Sequence, residues 1–241
     1  MRIDKFLSDC KVATRKEVAQ AAKRGAVVVD GVAVKDCSLH IDPKKQVVSY
    51  MGKTVNYRKY IYVMLNKPEG YVSATEDSKL PVVTELLSEE LQKTEPFPVG
   101  RLDRDTVGLM ILTNNGTLAH ALLSPKRHVT KEYRFKCAEP LPRDAAQRFL
   151  QGVTLADGYE CKSAQLLPDE DGMGGVITLT EGKYHQIKRM IASLGNRVTF
   201  LERISFGGIP LDLSLARGEY RELSESEVAY LSSQVPESLR G

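Results

Sequence analysis

The sequence predicts an α+β protein in two parts. A small, basic N-terminal α/β domain occupies residues 1–59, and a larger domain with a mainly antiparallel, mixed sheet occupies residues 60–241. Three observations point to it. Charge is divided unevenly: residues 1–59 carry 13 Lys+Arg against 6 Asp+Glu, a balance of +7, while the remainder carries 21 against 25, a balance of −4. The apolar pattern changes at Tyr60, after a polar, basic stretch (YMGKTVNYRKY, 50–60) that reads as a linker. Beyond it short strands are numerous, helices fewer, and no regular β-α-β alternation appears, which favours α+β over a parallel α/β sheet.

The elements follow in order. Ile3, Phe6 and Leu7 stand at i, i+3, i+4, the stripe of a short amphipathic helix. TRKE (Thr14–Glu17) is a capping box, so a second helix starts near Arg15 and is stopped by Gly25 after Lys23 and Arg24. VVVDGVAV reads as two short strands about an Asp30-Gly31 turn. In the larger part YIYVML and KEYRFKC are strands; in the second, Tyr133, Phe135 and Cys137 alternate with charged residues. PRDAAQRFLQG reads as a capped helix, PDEDGMGG (Pro168–Gly175) as a flexible acidic loop, and GVITLT and NRVTFLERI as strands. Between those strands Ile187, Met190, Ile191 and Leu194 mark a helix from about Tyr184, ended by Gly195-Asn196.

Composition narrows the function. Hydrophobic residues make up 42% and charged residues 27%, ordinary for a globular protein, and no apolar run approaches the ~20 residues of a bilayer span. The start, MRIDKFLSDCK, lacks the apolar core of a signal peptide, so the cytoplasm is the expected location. Cys10, Cys37, Cys137 and Cys161 form no C-x-x-C pair and are expected to be reduced thiols. The four histidines show no ligand spacing, so no metal is expected. No coiled coil or long exposed apolar segment suggests anything beyond a monomer. A basic front end points to a polyanionic partner, most often nucleic acid. Lys16 and Lys23 share one face of the second helix, with Arg15 and Arg24 flanking it.

The most unusual stretch is FPVGRLDRDTVGLMILTNNG, residues 97–116, in which two acids flank an arginine between Gly100 and Gly108, just before an apolar strand. Exposed salt bridges account for most such clusters. D-R-D-T-V also fits the D-x-D-x-[TV] pattern of aspartate-based phosphohydrolases, where the acids accept a phosphoryl group and bind Mg²⁺. That motif should follow a hydrophobic parallel strand, and Phe97–Arg101 is too short and broken for one; the later acid pair on offer, Asp169/Asp171, sits in a Gly-rich loop.

Two resemblances go further. R-x-D-K-F-L (Arg2–Leu7), T-R (Thr14–Arg15) and R-G-x-V-x-V-D-G (Arg24–Gly31) resemble the S4 RNA-binding domain over roughly residues 1–45. This implies that Arg2, Lys5, Arg15, Lys16, Lys23 and Arg24 grip structured RNA through shape and phosphates. G-R-L-D-x-D-T-x-G-L-x-I-L-T-N-x-G resembles the central motif of pseudouridine synthases of the ribosomal small-subunit synthase A type. K-E-Y-R (Lys131–Arg134) and E-G-K-Y-H-Q-I-K-R-M (Glu181–Met190) resemble two further motifs of that family, and L-N-K-P-E-G-Y-V-S (Leu65–Ser73) and R-I-S-F-G-G-I-P-L (Arg203–Leu211) are family-like. Ser205-Phe206 departs mildly from the usual pattern, away from any catalytic position. The likeness implies isomerisation of a uridine in ribosomal RNA without a cofactor, with Asp103 as catalytic carboxylate, Tyr133 in the active site and Lys188 as the basic partner of Asp103.

The residues fit that chemistry. The C1′–N1 bond of uridine must break, the base rotate, and a C1′–C5 bond form; nothing is oxidised. A carboxylate can attack carbon or stabilise positive charge, and a nearby cation favours its ionised form. Tyr133 offers a flat face and a hydroxyl for proton transfer. Arg101 and Arg104, beside Asp103, and Arg189, beside Lys188, are expected to meet the substrate, with Lys126, Arg127 and Lys131 as further phosphate contacts. Tyr184 is expected to stack on a neighbouring base and His185 to contact its edge. The Y-H-Q-I-K-R-M form resembles the enzymes of small-subunit (16S) RNA, whereas relatives acting on large-subunit (23S) RNA carry Asn-Arg in place of Tyr184-His185. A large-subunit synthase, and a non-enzymatic S4-type assembly factor, are the alternatives.

Overall fold

The computed structural model describes residues 1–43, 45–55 and 58–236. The chain forms two compact units: Met1–Ile61 together with Glu89–Glu95, and Tyr62–Ser88 together with the chain from Pro96 onward.

The N-terminal unit packs α1 (Ile3–Asp9) and α2 (Arg15–Lys23) on an antiparallel sheet of β1 (Val27–Val29), β2 (Val32–Ala33), β3 (Val48–Tyr50) and β4 (Lys53–Val55), in the order β2-β1-β3-β4. α1 buries Ile3, Phe6 and Leu7, as their spacing requires. Thr14 and Glu17 exchange both bonds of a capping box at the start of α2. Asp30 and Gly31 both adopt positive φ, 50° and 81°, the two-residue geometry that matches strand twist. The Asp30 carboxylate accepts from Val47 N at 2.8 Å and Gln46 Nε2 at 2.9 Å, which fastens that turn to the strand entry. The expected linker is not one throughout: Tyr50–Val55 belongs to a second hairpin turned at Met51-Gly52, while Asn56 and Tyr57 lie outside the described residues. α3 (Glu89–Gln92) belongs to this unit, where Lys11 Nζ meets Glu95 Oε1 at 2.9 Å.

The larger unit contains β5 (Tyr62–Lys67), β6 (Phe97–Pro98), β7 (Val107–Thr113), α4 (Gly116–Leu123), β8 (Lys131–Cys137), α5 (Ala145–Gln151), β9 (Gln165–Pro168), β10 (Gly174–Leu179), α6 (Gln186–Ala192), β11 (Val198–Phe206), β12 (Ile209–Pro210), β13 (Tyr220–Glu222) and α7 (Glu225–Ser233). Nine strands form one sheet in the order β13-β5-β7-β11-β8-β10-β9, with β12 on β11 and β6 on β7. Every pairing is antiparallel except β7 with β11, so the sheet is mixed and mainly antiparallel.

Three local expectations are corrected. Asp144 stands at the N-cap of α5 but does not cap it; its carboxylate takes Arg148 Nε at 2.8 Å instead. The acidic PDEDGMGG segment is a bonded β9–β10 hairpin: Gly175 pairs with Pro168, Asp169 holds Lys136 Nζ at 2.8 Å, and Asp171 Oδ1 accepts from Met173 N. α6 begins at Gln186, two residues later than expected, because His185 adopts the left-handed conformation (φ 49°).

One row of the sheet carries the site. Lys67 of β5 lies opposite Gly108 of β7, Gly108 opposite Arg203 of β11, and Arg203 opposite Tyr133 of β8. Gly108 has φ +98°, and a Cβ there would stand 2.4 Å from Arg203 O and 2.9 Å from Arg203 N. Only glycine lets the parallel pair close. Gly108→Ala is therefore expected to destabilise the larger unit by about 2–4 kcal/mol, read as a lower urea midpoint for the full chain.

Candidate active site

The loop between β6 and β7 holds its shape through the segment that follows β5. Lys67, fully buried, donates to the carbonyls of Pro68 (3.1 Å), Asp103 (3.1 Å), Arg104 (3.3 Å) and Thr106 (2.8 Å). An ammonium has three N–H groups, so four acceptors around it leave none of them idle. Burial lowers its pKa to about 8, against the pull of nearby Asp105, Asp103 and Glu69. Ser73 Oγ brackets Leu102, accepting from its N at 2.9 Å and donating to its O at 2.8 Å. Gly70 N donates to Arg104 O at 2.9 Å. The Asp103 backbone is thereby fixed before its side chain meets anything.

The second wall is the turn into α6. Glu181, buried, accepts from Tyr159 Oη at 2.9 Å, Lys162 N at 3.0 Å and Gln186 Nε2 at 2.5 Å. Gln186 Oε1 closes the turn by accepting from Lys183 N at 2.9 Å. From this braced turn Lys188 Nζ reaches Asp105 Oδ1 at 2.7 Å and Asp103 Oδ2 at 3.0 Å, and His185 Nε2 lies 3.5 Å from Asp103 Oδ1. For Lys188, burial works against the charge, but the bonds to Asp105 and Asp103 outweigh it and raise its pKa. For Asp105, burial likewise opposes ionisation, and the Lys188 bond prevails, lowering its pKa.

A cavity opens between these walls. Asp103, Tyr133, Lys188, Arg101 and His185 line it, with Leu179, Ile187 and Leu201 as apolar surface. Tyr133 is 9% exposed. Five of the predicted residues thus converge, and three do not. Arg104 is exposed and donates from Nε to Gly70 O at 3.2 Å. Arg189 is engaged by Asp157 Oδ2 at 2.5 Å and Tyr184 O at 3.4 Å. Tyr184, 70% exposed, stacks on His185 with ring centroids 3.8 Å apart and an interplanar angle of 19°. His185 thereby faces the carboxylate rather than a flanking base. Lys131 is corrected as a phosphate contact: it is half-buried and donates to Val129 O at 2.9 Å, and burial beside Arg203 lowers its pKa to about 8. Lys126 and Arg127 are exposed.

In the N-terminal unit Lys5, Arg15, Lys16, Lys23 and Arg24 are exposed, and Val18, Ala21 and Ala22 turn the other face of α2 into the core. Arg2 is engaged at both ends by Asp4, at 3.0 and 2.8 Å. Sequence reasoning missed the bracing roles of Lys67, Ser73, Glu181 and Gln186. Lys67 and Ser73 lay inside the family-like L-N-K-P-E-G-Y-V-S run, and Glu181 and Gln186 inside the third motif, yet their work depends on partners distant in sequence.

Residues 61–193 match the family model described as RNA pseudouridylate synthase, and residues 1–47 match the S4 domain. An RNA pseudouridine synthase of Bacillus subtilis is 46% identical over 235 residues, 96% of this chain and 98% of its own. The ribosomal small subunit pseudouridine synthase A of Vibrio cholerae is 39% identical, over 95% of this chain and 98% of its own. A crystal structure of a pseudouridylate synthase superposes with a TM-score of 0.68 at 34% identity, covering 96% of this chain and 99% of that one. Fold and family together define an isomerase acting on RNA. The chain belongs to the RNA pseudouridylate synthase family, with an S4 domain ahead of the synthase domain, as the motifs implied.

Lys67 and the half-buried Lys131 give stability a defined pH dependence. Lys67 and Lys131 bind their protons less tightly in the folded chain (pKa about 8) than at the ordinary lysine value of 10.5. Between those values the unfolded chain holds more protons, so raising the pH favours the folded state. Lys131→Met is expected to flatten the rise in urea midpoint between pH 8 and pH 10 relative to wild type.

Proposed function

We propose that the protein isomerises a uridine of small-subunit (16S) ribosomal RNA to pseudouridine, with Asp103 as the carboxylate that acts on the nucleotide. The observation that carries the assignment of the site is the convergence of Asp103, Lys188 and Tyr133 on one cavity, with Lys188 Nζ 3.0 Å from the Asp103 carboxylate. The target uridine leaves its stack and enters the cavity, which is easiest in a loop or bulge. Asp103 then meets the nucleotide while Lys188, held from both sides by Asp103 and Asp105, keeps the carboxylate in place. Breaking C1′–N1 frees the uracil, which turns within the apolar walls so that C5 faces C1′. Once the new bond forms, the proton on C5 departs and N1 gains one; the Tyr133 hydroxyl is the group suited to assist.

The choice of RNA rests on the segment Gly182–Met190. It carries Tyr184-His185, as in enzymes of small-subunit RNA, and relatives named for that subunit match at 36–40% identity over 95% of the chain. The exposed Tyr184 ring, backed by His185, supplies a platform for a base beside the target. The exposed cations of α2 grip phosphates, and the rRNA substrate places the protein in the cytoplasm. Among the described residues no helix is long and apolar enough to cross a membrane.

Asp103→Asn keeps shape and removes the carboxylate, so pseudouridine formation is expected to disappear while RNA affinity stays within a few-fold of wild type; normal turnover would remove Asp103 from its role. Carbodiimide primer extension on both rRNAs from a deletion strain is expected to show one small-subunit pseudouridine missing. Loss of a large-subunit site instead would overturn the target and leave the enzyme class standing. Replacing Arg15, Lys16, Lys23 and Arg24 together by alanine is expected to flatten the salt dependence of binding. The slope of log K against log salt should fall by about 0.7–0.9 for each phosphate that the variant no longer neutralises; an unchanged slope would free that helix of any RNA role.

A further inference from the structure

Thr106 stands three residues after Asp103 and directly before β7. It is 2% exposed and lines the same cavity as Asp103 and Tyr133. Among the described residues its hydroxyl is the buried side-chain polar atom that has no hydrogen-bond partner. Buried hydroxyls are nearly always bonded, because leaving one unmade destabilises the fold. The residue is also immobilised: its N–H donates to Asp103 O at 3.1 Å, and its carbonyl receives Lys67 Nζ at 2.8 Å. The hydroxyl is therefore carried at a fixed distance from the Asp103 backbone, by a side chain stiff at χ1.

We propose that the Thr106 hydroxyl recognises the substrate by hydrogen-bonding the polar edge of the uracil when the target nucleotide occupies the cavity. The inference rests on the reading of this cavity as the active site. The surroundings favour the base over the sugar. Leu179, Ile187, Leu201 and Tyr133 give the cavity apolar and aromatic surface for the faces of a planar ring. Such a ring then needs polar partners only at its edge. Uracil presents two carbonyl acceptors and one N–H there, and a hydroxyl both donates and accepts. Binding completes the bond that the free protein leaves unmade, so part of the recognition is built into the fold.

Thr106→Val is nearly isosteric and removes only the hydroxyl, which gives the test two readouts of opposite sign. In the full-length protein the Tm is expected to stay level or rise by up to about 4 °C, because an unsatisfied polar atom is gone. On an rRNA fragment containing the target, kcat/KM is expected to fall about ten-fold, with RNA affinity within two-fold of wild type. Thr106→Ser, which restores a hydroxyl, is expected to recover activity to within about three-fold. Wild-type kcat/KM in the valine variant overturns the proposal. So does a fall in Tm that accompanies reduced activity, which would mark a packing role. Repeating the comparison on RNA with a single 2′-deoxyuridine at the target separates base from ribose. A valine penalty that persists supports the uracil edge, and one that vanishes overturns it in favour of the 2′-hydroxyl. Asp103→Asn run in parallel isolates the underlying assumption: activity in that variant removes the active-site reading itself, whatever Thr106 does.

Discussion

The site depends first on a buried ammonium. Lys67 ends β5 with its side chain out of water and its Nζ shared among the carbonyls of Pro68, Asp103, Arg104 and Thr106. Burying a charge without a countercharge is unfavourable unless every donor is used. Here the loop's own backbone supplies the acceptors, so the loop and the lysine each satisfy the other. Neither arrangement would persist alone: a loop of this length has carbonyls to satisfy, and an unbonded lysine would seek solvent. The Asp103 carboxylate is thus presented by backbone geometry, and its own ion pairs are added to a loop already in place.

Those ion pairs are asymmetric in a useful way. Lys188 lies closer to Asp105, at 2.7 Å, than to Asp103, at 3.0 Å, and Asp105 is the more exposed of the two carboxylates at 61% against 29%. Asp105 anchors the Lys188 ammonium from its more exposed side, so that Lys188 keeps a second partner beside Asp103. The turn that carries Lys188 is held independently by Glu181 and Gln186, so the two walls of the cavity meet chiefly through the Lys188 and His185 contacts.

Much of this was legible where the governing interaction is local. The Thr14–Glu17 capping box, the Asp30-Gly31 turn, the Ile3/Phe6/Leu7 stripe and the alternation of Lys131–Cys137 all depend on neighbours within a few residues, and each formed as the spacing dictates. Asp103, Tyr133 and Lys188, singled out by motifs spread over the chain, line one cavity. What sequence could not reveal is settled at long range. The acidic Pro168–Gly175 run is tied down by Lys136 from a neighbouring strand. Arg189 looked like a substrate contact because it adjoins Lys188, yet successive residues on a helix face different ways, and Asp157 claims it.

The parallel pairing of β7 with β11 was the least legible feature, and it decides how a second buried cation is accommodated near the first. Gly108 stands in register between Lys67 and Arg203. Having no side chain, it lets Arg203 approach β7 closely enough to donate from Nε to Leu109 O at 2.7 Å, with its guanidinium 5.2 Å from the Phe206 ring centroid. Arg203 adds to burial in weakening the hold of both Lys67 and Lys131 on their protons. The acids that act most strongly in the other direction on Lys67 are Asp105 and Asp103, on the loop at the open end of this cationic row. Lys67 thus sits between Arg203, which weakens its hold on the proton, and the carboxylates of Asp105 and Asp103, which strengthen it. Gly108, with no chemistry of its own, stands in register between the two buried cations and sets how close they come.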